Sequence, residues 1–198
     1  MGSEVISTSI YIITLLLLGV GSIYTVKQKS AVIIERLGKF QTVSTAGLRF
    51  KIPIIDRKVG TVNLRVMELP VEVETKTLDD VFVRMVVSVQ YFVVESPEQI
   101  RKSYYKFDNP HRQIQSYVFD SIRSEVPKLI LDDVFAEKDK IAVAVKVELH
   151  ETIKDFGFNI LKTLITDIDP DAKVKESMNE INAAKRMKEA AKEYAQAE

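Results

Sequence analysis

The sequence has no cysteine, few glycines or prolines, and no excess of charge of either sign. Without cysteine in 198 residues, disulfides, thiol catalysis and cysteine metal sites are excluded. The seven glycines and six prolines are scattered, so no disordered linker is indicated before the C-terminal region. Basic and acidic residues balance at 28 each, which leaves no broad positive field to attract nucleic acid. We therefore expect no nucleic-acid partner.

The motifs of common enzymes and metal sites are also missing. No glycine-rich phosphate loop, nucleophile elbow or His-Glu-x-x-His arrangement occurs. The two histidines, His111 and His150, fall on separate predicted helices without an acidic residue at ligand spacing. Residues 167–171 begin like a calcium loop, but Pro170 and the lack of the required glycine and distal glutamate argue against one. We predict a protein without enzymatic activity, metal or cofactor.

The longest hydrophobic run extends from Val5 to Val26 and contains no charged residue. As an α-helix it would be about 33 Å long, which matches the hydrocarbon core of a bilayer. Lys27 and Lys29 end the run. We predict a single transmembrane helix within an anchor at residues 1–28. Its membrane-spanning side chains are Val5, Ile6, Ile10, Ile12, Ile13, Leu15, Leu16, Leu17, Leu18, Val20, Ile23 and Val26.

Two other interpretations of this run remain open. A cleaved signal peptide would need a basic start and a shorter apolar core, although residues 19–22 resemble a cleavage site. A buried core helix would be apolar on one stripe rather than all round. The lysines after the run favour a cytoplasmic location for the rest of the chain. Myristoylation is not indicated, because Ile6 stands where Ser or Thr is required.

Residues 29–95 are predicted to form a β-rich subdomain. The strongest strand signal is Val81–Val93, in which the odd positions are all apolar, as expected of a half-buried antiparallel strand. Gly38 is predicted to close the first strand in a turn. Shorter strands are predicted at residues 31–37, 47–52, 61–66 and 70–76.

Residues 96–170 are predicted to form an αβ subdomain. Ser96 followed by Pro97 starts a helix toward Tyr105, and Asn109 followed by Pro110 starts a longer one. Residues 131–135 are predicted as a bridging turn, residues 138–156 as a helix ended by Gly157, and residues 158–169 as a strand.

The last stretch, residues 171–198, is predicted to be the start of a long coiled-coil helix. Apolar residues recur at spacings of three and four, close to a heptad seam, while alanine and charged residues fill the other positions. We predict that this seam mediates homo-oligomerisation. Its members are Val174, Met178, Ile181, Ala184, Met187, Ala191 and Tyr194.

An apolar tip lies between two predicted strands and consists of Phe50, Ile52, Pro53, Ile54 and Ile55. Packing inside the domain is one explanation. Cationic residues on both sides and the nearby anchor favour the other, in which the loop dips into a membrane.

A series of motifs runs through residues 29–198: Glu35–Phe40, Glu74–Val83, Ser88–Tyr91, Gln113–Arg123, Leu131–Phe135 and Met178–Ala184. Together with the order of anchor, β-rich unit, αβ unit and Ala/Glu/Lys-rich helix, they resemble the SPFH (band 7) superfamily of stomatins, prohibitins and flotillins. The motifs look most like its plant hypersensitive-induced reaction branch.

The resemblance implies an α+β fold and a non-enzymatic scaffold that forms rings or cages on a membrane. Its expected partners are membrane lipids, further copies of itself, and a membrane protease or receptor. The plant proteins attach through acylated N-termini, which this chain cannot do without cysteine, so the apolar run is expected to substitute. An adaptor that binds one partner through its last helix, or an accessory unit of a membrane protease, would explain the same features.

Overall fold

The computed structural model describes residues 21–106 and 108–196, and side chains as far as Lys192. These residues form eight strands and five α-helices. The strands are β1 (Ile23–Val26), β2 (Ser30–Arg36), β3 (Lys39–Ser44), β4 (Gly47–Phe50), β5 (Asp56–Asn63), β6 (Met67–Lys76), β7 (Phe82–Val93) and β8 (Phe158–Pro170). The helices are α1 (Pro97–Tyr105), α2 (Pro110–Glu125), α3 (Leu131–Ala136), α4 (Lys138–Ile153) and α5 (Ala172–Gln196).

The chain divides into two compact units that interleave along the sequence. Of the described residues, the first unit takes 21–67, with those of Gln90–Pro110 and His150–Leu161. The second takes Glu68–Val89, His111–Leu149 and 162–196. Strands β7 and β8 each contribute residues to both units. The subdomain boundary between residues 95 and 96 stays a prediction.

The first unit contains two small antiparallel sheets. One has the strand order β3-β2-β5 and the other pairs β1 with β4. The central strand β2 is buried on both faces, as its run of Ala31, Val32, Ile33 and Ile34 requires. Arg36 pairs with Lys39 across a two-residue turn in which Leu37 and Gly38 both have positive φ, the geometry that suits a tight hairpin.

The second unit is built on part of the sheet with order β6-β7-β8. Period-two burial in β7 confirms the strand predicted from alternation, with Val83, Met85, Val87 and Val89 buried. Helices α2 and α4 supply the facing apolar stripes, in which the buried residues are Ile114, Val118, Ile122, Ile141, Val145 and Leu149.

Several predicted elements agree with the structure and others differ from it. Helix α1 begins at Pro97 and α2 at Pro110, as predicted. The predicted bridging turn at residues 131–135 is instead a short helix, α3. Strand β3 was not predicted, because as an edge strand it leaves most of its side chains exposed and its sequence does not alternate.

The structure corrects the predicted transmembrane helix at its C-terminal end. Residues 5–20 lie outside the described part of the chain, but Ile23–Val26 form β1 rather than the last turn of a helix. Tyr24 and Val26 are buried, and all four residues pair with β4. Pairing with β4 explains the change, since the backbone groups of β1 that point toward β4 find partners across the two-stranded sheet. Within the described residues, no helix combines the length and apolarity needed to span a bilayer.

Gly157 ends the helical segment after α4, as predicted, and the structure shows why glycine is required. Its φ is +88°, and a Cβ at this position would lie 2.1 Å from the backbone oxygen of Gln99. Left-handed backbone costs an L-residue about 1–2 kcal/mol, and the overlap is with backbone that cannot rotate away.

We expect Gly157→Ala to destabilise the protein by more than about 2 kcal/mol, the sum of backbone strain and overlap. Gly38→Ala is the matched control, because Gly38 also has positive φ but an added Cβ there meets nothing within 4 Å. The measurement is chemical denaturation of both variants. Equal losses of stability would show that the contact with Gln99 is unimportant.

Candidate membrane-facing surface and assembly helix

An exposed apolar surface is built on the β1–β4 pair. Ile23 pairs with Phe50 and Thr25 with Leu48, and directly opposed residues of an antiparallel pair share one face. The other face carries Tyr24 and Val26, which are buried, so Ile23, Leu48 and Phe50 point outward and are exposed.

The loop after β4 extends this apolar surface. Ile52 and Ile55 are exposed, and Ile54 is 88% exposed, so these side chains do not pack in the core. Ile54 also has φ of +75°, which is unusual for a β-branched residue. Such backbone outliers persist where surrounding structure fixes them and are concentrated at functional positions. We use the name apolar surface for Ile23, Leu48, Phe50, Ile52, Ile54 and Ile55.

Asp56 fixes the shape of the loop. Its Oδ1 accepts a hydrogen bond from Nε of Arg36 at 2.8 Å, and its Oδ2 accepts one from the backbone N–H of Ile52 at 2.8 Å. The Asp56 side chain is only 5% exposed. The Arg36 guanidinium, and next the Ile52 N–H, lower the pKa of the Asp56 carboxyl. A backbone bond from Asp56 N–H to Ile52 O at 2.9 Å closes the loop.

We expect Asp56→Asn to lower the thermal midpoint at neutral pH, because the ion pair with Arg36 is lost. A lowered carboxyl pKa stabilises the fold above the unfolded-state pKa, here near 3.8, and this stabilisation is lost as pH falls through the folded-state pKa. The difference in thermal midpoint between wild type and variant should therefore become smaller below about pH 4. Asp108→Asn, at an exposed position of the same unit, is the control. A gap that is constant with pH would contradict this role.

Cationic side chains accompany the apolar surface. Arg49 donates from Nε to the backbone oxygen of Thr45 at 3.0 Å. The Lys58 ammonium lies 4.0 Å from the centroid of the Tyr24 ring. Arg49 pairs with Tyr24 and so belongs to the opposite, buried face of the β1–β4 pair, as does the Tyr24 ring that Lys58 contacts. Lys51 and Arg57, in the loop and in the strand that follows it, are the cations nearest in sequence to the exposed isoleucines. Apolar side chains with cations close by are typical of surfaces that insert among anionic headgroups.

Helix α5 in the second unit carries the predicted assembly seam. Val174 and Met178 are half-buried near its start, whereas Ala184 and Ala191 are exposed. Ile181 is 66% exposed and Met187 is 72% exposed. Tyr194 belongs to the helix, but its side chain is beyond those described. Within one chain, most of the seam thus contacts solvent.

The start of α5 is fixed by acidic residues. The Asp171 carboxylate accepts a hydrogen bond from the backbone N–H of Lys173 at 3.0 Å. Lys175 Nζ donates to Asp169 Oδ1 at 2.9 Å and thereby lowers the pKa of that carboxyl. Among the described residues, no group of three or more potential metal-ligating side chains occurs. Asp171 and Asp169 both contact the first turn of α5, through Lys173 and Lys175.

Of the other predicted residues, Val5, Ile6, Ile10, Ile12, Ile13, Leu15, Leu16, Leu17, Leu18 and Val20 lie outside the described part of the chain. Sequence reasoning missed Ile23 and Leu48 as neighbours of the tip, and missed the Arg36–Asp56 pair. The alternation of Leu48 and Phe50 was the available signal. No signal in the sequence could have identified Arg36 as the partner of Asp56, because their contact depends on the pairing of β2 with β5.

The model of the SPFH domain / Band 7 family matches residues 24–198, nearly all of the described chain. The chain belongs to this family. The SPFH chain is 39% identical over 163 residues to hypersensitive-induced response protein 4 of Arabidopsis thaliana, covering 82% of the chain and 55% of that protein. The predicted resemblance to the family and to this branch is thereby confirmed.

Stomatin-like proteins are also similar to the SPFH chain. The stomatin-like protein stl-1 of Caenorhabditis elegans is 31% identical over 169 residues, which cover 84% of the chain and 50% of that protein. The mitochondrial stomatin-like protein 2 of Homo sapiens is 30% identical over 167 residues, which cover 83% and 46%. The chain spans about half the length of these relatives. Family membership supports a membrane-associated scaffold of the stomatin type in general terms.

Proposed function

We propose that this SPFH chain is a membrane-anchored scaffold that self-associates on a membrane and organises the lipids and proteins around it. The proposal rests on two sets of exposed apolar side chains. One is the apolar surface of the first unit, and the other is the α5 seam of the second. Contiguous exposed apolar patches commonly mark membrane or protein contacts. A membrane and further copies of the chain would cover them.

Membrane lipids are the proposed partner of the apolar surface. The alternation that buries Tyr24 and Val26 places Ile23, Leu48 and Phe50 on the outer face, and Asp56 holds the isoleucines of the loop in one conformation. A preformed loop avoids the entropic cost of ordering on insertion. The predicted membrane-spanning residues up to Val20 come shortly before β1 in the sequence, which favours a position of this surface close to the bilayer.

Further copies of the chain are the proposed partner of the α5 seam, in rings or cages. SPFH proteins in general associate with membranes and oligomerise, which supports the assignment. A membrane protease or receptor would then bind to the assembled scaffold. The alternative is an adaptor whose α5 helix binds one such partner.

Particle size distinguishes the scaffold from the adaptor. In mild detergent, the full-length chain is expected to sediment as a large particle, and a monomer or dimer would instead support the adaptor. Negative-stain images of the same sample would show whether the particle is a ring or a cage.

We expect residues after Lys27 to face the cytoplasm. Because the chain has no cysteine, single cysteines can be introduced at Ser3 and at exposed Gln28 without interference. An impermeant thiol reagent added outside intact cells should label Ser3→Cys and leave Gln28→Cys unlabelled until the cells are opened. If only Gln28→Cys were labelled from outside, the topology would be the reverse of the one predicted.

A further inference from the structure

A cleft of about 290 Å³ lies in the first unit, away from the residues of the apolar surface. Its walls come from β2, the hairpin turn, β3 and α1. We call it the aromatic cleft and define it by Glu35, Phe40, Arg101, Tyr105 and Lys106, with Gly38 at its rim. Its volume is at the lower end of the roughly 300–1,000 Å³ of small-molecule sites, so one ring with a short substituent would fill it.

The aromatic walls are held in place by neighbouring residues. The rings of Phe40 and Tyr105 meet edge to face with centroids 6.2 Å apart. The Tyr105 hydroxyl donates to Glu35 Oε1 at 2.5 Å. Tyr104, whose ring lies 4.9 Å from that of Tyr105, donates to the backbone oxygen of Val59 at 2.8 Å. The apolar part of the cleft is thus preformed.

Cationic side chains surround these rings. The Arg101 guanidinium lies 5.5 Å from the Phe40 centroid, and Glu98, whose pKa is lowered by Lys102 and to a smaller extent by Arg101, forms its ion pair with Lys102. Lys106 lies 5.4 Å from the Phe156 centroid and donates to the backbone oxygen of Asp155 at 3.3 Å. Lys102, also at the cleft, is paired with Glu98. The described lining residues of the cleft therefore carry more positive charges than the one negative charge of the Glu35 carboxylate.

Among the described residues that line the cleft, Glu35 is the one group that opposes an anion. It accepts the Tyr105 hydroxyl proton in a hydrogen bond. Partial burial, reinforced by Glu35, raises the pKa of Tyr105 to about 12, so that hydroxyl stays a donor at neutral pH. The carboxylate is thereby turned toward Tyr105, and the Arg101 fork remains available to a ligand.

We propose that the aromatic cleft binds a small organic anion, a flat apolar ring that carries one carboxylate. The ring packs against Phe40 and Tyr105, and the carboxylate accepts hydrogen bonds from Arg101, whose planar fork matches it. Lys106 adds a second positive charge. The site does not depend on the assembly proposed above, because every lining residue belongs to one unit of one chain.

The test uses the full-length chain in detergent and three probes of equal ring size: benzoate, neutral benzyl alcohol and benzylammonium. Ligand-observed NMR titrations against a detergent blank measure their affinities. Benzoate is expected to saturate and to bind roughly tenfold more tightly than either analogue, the value of a charge-assisted contact. Binding of all three with equal affinity, or preference for benzylammonium, would overturn the proposal.

Variants with opposite expected effects complete the test. Arg101→Gln should weaken benzoate binding roughly tenfold, whereas Glu35→Gln should strengthen it severalfold, since it removes the opposing charge and keeps an acceptor for Tyr105. Arg65→Gln, an exposed cation elsewhere in the unit, should change nothing. Thermal midpoints exclude unfolding as the cause. Unaltered affinity in Arg101→Gln and Glu35→Gln with intact folds would disprove the site.

Discussion

Replacing Ile52, Ile54 and Ile55 together with serine is expected to weaken membrane binding more than about a hundredfold. Each isoleucine that enters the acyl region contributes on the order of 1 kcal/mol or more, and three contributions of this size give that factor. Because the three side chains are exposed, little core packing is lost. The thermal midpoint should therefore remain close to that of the wild type.

The measurement needs a chain without the predicted anchor, whose own affinity would mask the loop. A chain shortened to begin at Gly21 keeps β1, whose Tyr24 and Val26 belong to the core. Binding to vesicles with anionic lipid is compared between this chain and its triple variant. The matched control is serine at Leu78, Val143 and Val147, which are also exposed apolar residues, in the second unit.

Each outcome of this comparison has a distinct meaning. Weaker binding of the loop variant alone, with an intact fold, supports membrane insertion. Equal binding of all three chains would leave the loop without a lipid role. A collapse of stability without a change in binding would show that the isoleucines support the fold instead.

Sequence reasoning succeeded where one local pattern determines the structure. The strict alternation of residues 81–93 predicted β7, and Pro97 and Pro110 each mark a helix start. These signals are local, because alternation and the restricted φ of proline act on the residues that carry them. The exposed tip at residues 52–55 was also visible as isoleucines among cations, although packing in the core could not be excluded from sequence.

Three of the failures depend on contacts between distant residues. Counting uncharged residues placed Ile23–Val26 at the end of a helix, whereas β4 recruits them into a sheet from more than twenty residues away. The Arg36–Asp56 pair needs β2 and β5 side by side. The aromatic cleft needs β3 next to α1, and a strand that was not predicted could not be placed there.

Replacing Ile181 and Met187 with aspartate is expected to convert large particles of the full-length chain into small ones. Both side chains are largely exposed within one chain, so their apolar area is available to a second helix. Burial of such side chains is worth about 1.5–3 kcal/mol each, and a ring repeats the gain at every contact. Two carboxylates in the seam would replace this gain with the cost of desolvating charge.

The control adds the same charge away from Ile181 and Met187. Asn179→Asp with Asn182→Asp adds two carboxylates at exposed positions that lie about 80–160° around the helix from these two residues at 3.6 residues per turn. Analytical ultracentrifugation in mild detergent compares wild type, seam variant and control. Only the seam variant should lose the large particle. The substituted residues are exposed and α5 comes after the folded core in the chain. The helical circular dichroism signal and the denaturation midpoint of the seam variant should therefore stay close to those of the wild type. Unaltered sedimentation of the seam variant would show that other surfaces carry the assembly.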